Sequence, residues 1–106
     1  GVMGGFQQPQ GHLQVISNLI DFGMNPQEAL DFERFSVSIE NDTVFVEDSF
    51  NPDVIAALKL KGHSVSVNSG FDGGLFGGGQ IIVRDNEEGI LFGGSDPRKD
   101  GISVSF

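Results

Sequence analysis

Apolar residues recur at helical intervals early in the chain, where Leu13, Ile16 and Ile20 fall on one face. This spacing predicts an amphipathic helix over residues 12–22, because a helix places every third or fourth side chain on the same side. Gly23 follows this stretch, and glycine readily takes the left-handed conformation that ends a helix. The segment before it, residues 1–11, is rich in Gly, Gln and Pro and predicts turns.

Two shorter helices are predicted from their start signals. Asn25 can cap a helix whose first residue is proline, and Glu28 is placed to reach back to the cap. This second helix is predicted to end between residues 31 and 34. The same signal of asparagine and proline recurs at residues 51–53 and predicts a third helix to residue 61, where a glycine follows.

Strict alternation of apolar and polar residues predicts the strands. Residues 35–40 and 43–47 alternate on either side of an Asn-Asp turn and predict a β-hairpin. Further strands are predicted at residues 63–67, 80–84, 90–92 and 102–106, and loops at residues 70–79 and 93–101. Helices followed by an antiparallel set of strands predict a single α+β domain over residues 1–106, with helices on one face of a mostly antiparallel sheet.

Composition excludes several classes of function. Six Lys and Arg against fifteen Asp and Glu leave a net charge of −9, which argues against binding to the phosphate backbone of nucleic acids. The absence of Cys excludes disulfides and cysteine-based metal sites. No apolar stretch is long enough to span a bilayer, and the compartment is left unassigned. The chain starts with Gly1 instead of Met, which fits a fragment, a processed product or a cloning scar.

Two features that suggest ligand binding have simpler explanations. The Gly-rich segment at residues 70–79 is followed by a strand pattern and not by a helix, so it lacks the context of a phosphate-binding loop. It is predicted to be a loop where backbone passes close to backbone. His12 and His63 are the only imidazoles, and no spacing of further ligands supports a metal site. His12 is predicted to be a hydrogen-bonded structural residue, and His63 is given no role.

Charged residues suggest two ion pairs. Asp96 precedes a proline in a tight loop, and an ion pair with Arg98 that locks the loop is the preferred interpretation. A contact between this loop and a substrate is the alternative. Asp31 and Arg34 are spaced to pair on the surface of the second helix, where such a pair contributes little stability.

Gly4 and Gly5 are the candidate catalytic residues. Two adjacent glycines before a helix let backbone N–H groups point into a cleft without obstruction by side chains. Paired N–H donors in such a place can hold the negative oxygen of a tetrahedral intermediate. Gly-Gly is also common in ordinary turns, so the pair needs support from the residues around it.

That support comes from a resemblance carried by three segments in order along the chain. The segments are residues 1–30, Phe-Gly-Gly-Gly-Gln at residues 76–80 and Gly-Gly-Ser-Asp-Pro-Arg-Lys-Asp-Gly at residues 93–101. Together they resemble the γ-glutamyltransferase family. The resemblance implies the N-terminal-nucleophile hydrolase fold, an αββα sandwich, and a precursor that cuts itself into a large and a small subunit. It also implies that Gly4 and Gly5 match the oxyanion-hole glycines of the family.

The resemblance also defines what this chain lacks. It implies that the chain is the C-terminal portion of the small subunit, whose N-terminal Thr would be the nucleophile of an acyl-enzyme. The only Thr present, Thr43, lies inside the predicted hairpin. The isolated chain is therefore predicted to be inactive towards γ-glutamyl amides of the glutathione class.

The implied partners are the large subunit, the remainder of the small subunit and a γ-glutamyl substrate, with no cofactor and no nucleic acid. A piece of a sandwich is predicted to expose apolar faces and an open sheet edge, to be covered by missing parts of the protein or by self-association. The alternative functions are a related amidohydrolase, similar to cephalosporin acylase or oxamate hydrolase, and a non-catalytic binding domain.

Overall fold

The computed structural model describes residues 1–72 and 74–105. The helices are α1 (Gln8–Ile20), α2 (Pro26–Asp31) and α3 (Pro52–Leu60). The strands are β1 (Val2–Met3), β2 (Phe35–Ser38), β3 (Thr43–Glu47), β4 (Ser64–Asn68), β5 (Gly78–Arg84) and β6 (Leu91–Ser95). They form two three-stranded sheets, so the predicted α+β class is confirmed.

The first sheet pairs the strand at the start of the chain with two strands from its second half, in the order β1-β5-β6. Both pairings are antiparallel, with Val2 opposite Gly79 and Gln80 opposite Ser95. β5 begins at Gly78 and β6 continues through Ser95, so parts of the two predicted glycine loops are strand. This sheet therefore places the glycine turn after β1 beside the Gly-rich segment that leads into β5.

The second sheet has the order β2-β3-β4 and contains the predicted hairpin. β2 and β3 are antiparallel, with Phe35 opposite Val46. β4 runs parallel to β3, which corrects the predicted antiparallel arrangement after α3. The reason is that α3 carries the chain back across the sheet, and a helical crossover returns the next strand in the same direction.

The helix starts follow local signals with one exception. The Asn25 side chain accepts from the Glu28 N–H, and Glu28 accepts from the Asn25 N–H, so the predicted capping box is confirmed. α1, however, begins at Gln8, four residues before the predicted start. Pro9 lies in its first turn, where the missing N–H costs nothing, and the turn-like composition of this stretch concealed the helix.

The predicted last strand is wrong for the residues that the structure describes. Residues 102–105 are not strand and make no backbone hydrogen bonds with other described segments, and Phe106 lies outside the described part. An alternating pattern forms a strand only where another strand offers its backbone. The loop after β6 instead carries residues 102–105 over the face of the sheet, where Ser103 lies against Gly93.

The core is small for the number of apolar residues. One buried cluster contains Val2, Val15, Ala29 and Leu30, with Leu19, Met24 and Ile81 packed against them. Val46 and Phe76 are buried outside this cluster. Many large apolar side chains remain exposed, among them Phe6, Leu13, Ile16, Ile20, Phe22, Ile82 and Leu91. The predicted exposure of apolar faces is therefore confirmed.

Candidate active site

The turn between β1 and α1 contains two consecutive exposed glycines, Gly4 and Gly5. Gly4 has φ +154° and Gly5 has φ +56°, values that favour glycine. The Gly4 carbonyl accepts from the Gln7 N–H at 3.0 Å. Neither the Gly4 nor the Gly5 N–H donates a hydrogen bond to any group in the described part of the chain. Both residues are exposed, so the turn lies at the surface of the described part of the chain.

The Gly-rich segment before β5 supports this turn by close backbone contact. A Cβ on Gly4 would lie 3.1 Å from the Gly77 Cα, and a Cβ on Gly77 would lie 2.5 Å from the Met3 carbonyl oxygen. Gly77 also has φ +75°. A side chain at either position would push the two segments apart. The predicted close approach of backbone to backbone is confirmed at Gly77, whereas Gly78 and Gly79 of the predicted loop belong to β5.

An ionic cluster of Arg34, Glu47, Asp96 and Arg98 lies behind this segment. Arg34 and Asp96 are each 1% exposed, and Arg34 Nη2 donates to Asp96 Oδ2 at 2.6 Å. Arg98 donates to Asp96 Oδ1 at 3.1 Å and to Glu47 Oε2 at 2.6 Å, with a second bond from Nε to Oε1. Two guanidinium groups thus balance two carboxylates, the arrangement that makes buried charge tolerable.

The ionic cluster holds the backbone that pairs with β1. Asp96 Oδ2 accepts from the Gly79 N–H at 2.7 Å. Arg34 Nη1 donates to the Phe76 carbonyl at 3.2 Å, and the Arg34 N–H donates to Glu47 Oε2 at 2.8 Å. Both ends of the segment from Phe76 to Gly79 are therefore hydrogen-bonded to buried charged side chains, Arg34 at one end and Asp96 at the other. Gly77, inside this segment, lies against Gly4 of the glycine turn.

These contacts show which of the two predicted ion pairs forms. The Asp96–Arg98 pair is confirmed. The Asp31–Arg34 surface pair is wrong, because Arg34 is buried against Asp96 while Asp31 accepts from the Gln27 side chain. α2 ends at Asp31, so Arg34 is no longer on the helix that the predicted spacing requires. Sequence reasoning missed Glu47, and the only signal was an acidic residue at the end of an apolar strand.

Burial and pairing shift the pKa values within the cluster. Burial lowers the pKa of Arg34, and the nearby charge of Arg98 lowers it further. Burial alone would raise the pKa of Asp96, but hydrogen bonds from the Arg98 and Gly79 amides and the charge of Arg34 bring it below its ordinary value. Burial opposes the charged form of Arg98, yet its hydrogen bonds with Glu47 raise its pKa.

The lowered pKa of Asp96 gives a pH prediction. Its contribution to stability is fully present above the unfolded pKa of about 3.9 and is lost as the pH falls through the lower folded pKa. We expect urea unfolding of the chain to show a midpoint that falls as the pH drops below about 4. Asp96→Asn should lower the midpoint at pH 7 and flatten this dependence. If the urea midpoint of the Asp96→Asn variant depended on pH between pH 2 and 5 as steeply as that of the unchanged chain, Asp96 would not be the source of this pH dependence.

The two histidines have no catalytic arrangement. His12 Nε2 accepts from the Val2 N–H at 3.2 Å, and Nδ1, which these partners assign as the protonated nitrogen, lies 2.6 Å from the Gln8 carbonyl. His12 thus joins β1 to α1, and its predicted structural role is confirmed. His63 is exposed between α3 and β4. In the described part of the chain, no group of His, Asp and Glu side chains could hold a metal ion.

None of the helices in the described residues has the length and apolar character needed to cross a membrane.

Comparison with known proteins gives matches over the whole chain. A family model described as Gamma-glutamyltranspeptidase matches residues 1–106. The Glutathione hydrolase-like YwrD proenzyme of Bacillus subtilis is 36% identical over 100% of this chain and 21% of that protein. The Oxamate amidohydrolase proenzyme of Klebsiella pneumoniae is 31% identical over 100% of this chain and 20% of that protein. The crystal structure of cephalosporin acylase from Bacillus halodurans is 50% identical with a TM-score of 0.92, covering 100% of this chain and 19% of that chain.

The chain therefore spans about a fifth of the length of these relatives, which have further parts that this chain does not contain. Their names refer to different activities: one is called glutathione hydrolase-like, one an oxamate amidohydrolase and one a cephalosporin acylase. The segment is therefore common to relatives whose names differ in substrate.

Proposed function

Because this chain belongs to the gamma-glutamyltranspeptidase family and has the fold of N-terminal-nucleophile hydrolases, we propose that it is the C-terminal portion of the small subunit of a γ-glutamyl-transferring or γ-glutamyl-hydrolysing enzyme. The parent enzyme would act on γ-glutamyl amides of the glutathione class. The observation that carries this proposal is the pair of free amides at Gly4 and Gly5, at the place where the family resemblance puts the oxyanion hole.

In the proposed reaction, the hydroxyl oxygen of a Thr on another part of the parent attacks the carbonyl carbon of the γ-glutamyl amide. A C–O bond forms while the N-terminal amine of this Thr takes the hydroxyl proton, which it later gives to the leaving amine, and the carbonyl oxygen takes the negative charge. The Gly4 and Gly5 N–H groups donate to this oxygen, which is stabilising because the donors are already oriented when the charge develops. Collapse breaks the C–N bond, the amine leaves with a proton, and water or an acceptor amine releases the acyl group.

A second candidate function is an amidohydrolase or acylase acting on an amide other than a γ-glutamyl amide. The observation that favours it is the 50% identity to the cephalosporin acylase of Bacillus halodurans, compared with 36% to the glutathione hydrolase-like relative. The Gly4–Gly5 turn serves both candidates equally, because an oxyanion hole contacts the reacting carbonyl and not the rest of the substrate.

The test is an assay of the parent proenzyme that carries residues 1–106. We expect turnover of γ-glutamyl-p-nitroanilide and glutathione, and measure the same preparation with glutaryl-7-aminocephalosporanic acid and oxamate. Preferred turnover of either of the last two would replace the leading function with the second. No turnover, with no Thr at a processing junction, would favour a non-catalytic binding domain.

The isolated 106-residue chain should be inactive in the same assay, because the proposed nucleophile lies on another part of the parent. Release of p-nitroaniline is measured at protein concentrations high enough to detect a residual rate. If the isolated chain turned over the substrate and lost this activity in Gly4→Ala, the proposal that the nucleophile lies on another part of the parent would be wrong.

We further propose that the remainder of the small subunit and the large subunit cover the exposed apolar faces of this chain. The outer face of α1 supports this, since Leu13 is 66% and Ile20 is 75% exposed. Contiguous apolar surface of this kind is rare on proteins that act alone.

The double variant Leu13→Gln/Ile20→Gln tests this proposal. These side chains make few contacts, so we expect the free energy of unfolding of the isolated chain to change by less than about 0.5 kcal/mol. Co-purification with the remaining parts of the parent should fall strongly, as measured by size-exclusion chromatography. Unchanged assembly would contradict the proposal, and loss of a dimer of the isolated chain in sedimentation would identify self-association instead.

A further inference from the structure

We propose that Gln7 is a positioning residue that fixes the Gly4–Gly5 turn to the second sheet. This inference rests on the proposed function of that turn as an oxyanion hole. Gln7 is 5% exposed, whereas its neighbours Phe6 and Gln8 are exposed. A polar side chain that is buried between two exposed residues at the surface end of a helix has a specific contact to make.

Gln7 contacts the turn through both its backbone and its side chain. Its N–H donates to the Gly4 carbonyl at 3.0 Å. A Cβ on Gly4 would lie 3.1 Å from the Gln7 Cβ, so the turn rests against the stem of this side chain. A rotation of Gln7 would therefore change the direction of the peptide that joins Gly4 to Gly5.

The far end of the side chain is anchored to the second sheet. Gln7 Nε2 donates to the Phe35 carbonyl on β2 at 3.0 Å. β2 follows Arg34 directly, and Arg34 belongs to the buried ionic cluster. The turn thus contacts the Gly77 backbone on one side and Gln7 on the other. The segment that contains Gly77 is hydrogen-bonded to Arg34 and Asp96, and Gln7 is hydrogen-bonded to Phe35, the residue after Arg34.

Gln7 is the first of three glutamines that bind the edge of β2. Gln14 donates to the Phe35 carbonyl at 3.0 Å and accepts from the Phe35 N–H at 3.0 Å. Gln10 donates to the Val37 carbonyl at 3.1 Å and accepts from the Val37 N–H at 2.8 Å. These side-chain amides satisfy the strand edge as another strand would. The edge of the second sheet is therefore covered at β2, whereas β4 is an edge strand, as the predicted open sheet edge requires.

The three glutamines differ in two respects. Gln10 and Gln14 use both amide atoms on β2 and do not contact the glycine turn. Gln7 uses Nε2 only, and its Oε1 is buried without a partner in the described part of the chain. An unpaired buried amide oxygen is destabilising, so packing and stability alone would be served better by an apolar side chain. The contact that distinguishes Gln7 is the one with Gly4.

The experiment compares Gln7→Met with Gln14→Met in the parent proenzyme. Methionine keeps the length of the side chain and removes the amide, and each change deletes one bond to the Phe35 carbonyl. Gln14→Met also deletes the bonds with the Phe35 N–H and the Gln10 carbonyl, so the control removes more hydrogen bonds than the test variant. We expect Gln7→Met to lower kcat by roughly 10-fold to 100-fold with KM nearly unchanged, because misplaced oxyanion donors weaken only the transition state. Gln14→Met should leave kcat within about two-fold. Equal losses in both variants, or a change confined to KM, would overturn the inference.

A second measurement separates this inference from the proposed function. In the 106-residue chain, the Gly4 and Gly5 amide signals in ¹H–¹⁵N spectra should shift and exchange faster in Gln7→Met, but not in Gln14→Met. Gln7→Asn, which keeps an amide on a shorter stem, is the replacement if Gln7→Met does not fold. A parent that is inactive on every amide would refute the proposed function, and the glycine signals would still decide the role of Gln7. Glycine signals that stay unchanged would refute that role.

Discussion

Arg34→Met will lower the free energy of unfolding of this chain by about 3–5 kcal/mol. The substitution removes the cation from a pair that is 1% exposed on both sides, and it leaves one guanidinium against two carboxylates in the ionic cluster. It also removes the hydrogen bonds that Arg34 donates to the Phe76 and Leu30 carbonyls, although the Leu30 carbonyl keeps a bond from Arg98 Nη1. Buried groups that lose a charged partner are costly because water cannot replace it.

The matched control for this prediction is Arg84→Met. Arg84 is exposed at the end of β5 and makes no ion pair in the described part of the chain. The same chemical change there should alter the free energy of unfolding by less than about 0.5 kcal/mol. Both values come from urea unfolding followed by circular dichroism at pH 7. An Arg34 variant no less stable than the Arg84 control would show that the buried cluster contributes no net stability.

Gly4→Ala will lower kcat of the parent enzyme by roughly 10²–10³-fold, the usual effect of losing one oxyanion donor. At φ +154° an alanine is strained, and its Cβ would lie 3.1 Å from both Gln7 and Gly77. The turn must move to relieve these contacts, and the two amides move with it. KM should change little, because the donors bind the transition state more strongly than the ground state.

Gly23→Ala is the control for backbone strain. Gly23 also has a positive φ, +64°, and a Cβ there would meet nothing within 4 Å. It follows α1 at the end away from the glycine turn, so its variant should lose some stability and keep kcat. Kinetics on γ-glutamyl-p-nitroanilide decide the comparison. A Gly4→Ala enzyme with the kcat of the Gly23 control would exclude the turn from the reaction.

The elements that could be predicted from sequence are those specified within one or two turns of chain. The Asn25–Glu28 capping box fixes the start of α2, and the proline after Asn51 fixes the start of α3. β2 and β3 pair as predicted because a short turn joins them. The direction of β4 and the absence of a strand at residues 102–105 depend on which segments lie beside them, and local alternation does not contain that information.

The candidate site also contains a part that could be predicted from local sequence and a part that could not. Gly4 and Gly5 are adjacent in sequence and begin the family resemblance, so they could be found without coordinates. The ionic cluster could not be found whole, because Glu47 lies 13 residues from Arg34 and 51 residues from Arg98. Arg34 was assigned to Asp31 by helical spacing, and only the end of α2 at Asp31 shows why that pair does not form.

The sequence by itself therefore determined the family, the fold class, the starts of α2 and α3 and the pair of glycines, since each depends on residues that are neighbours along the chain. The tertiary structure alone decided that Arg34 and Asp96, 62 positions apart, share the interior, and that three glutamines of the α1 segment bind β2. The physical reason is that a charge or an amide is buried only where its partner arrives from elsewhere in the fold, and the alternating and helical patterns of a chain do not record which distant partner that is.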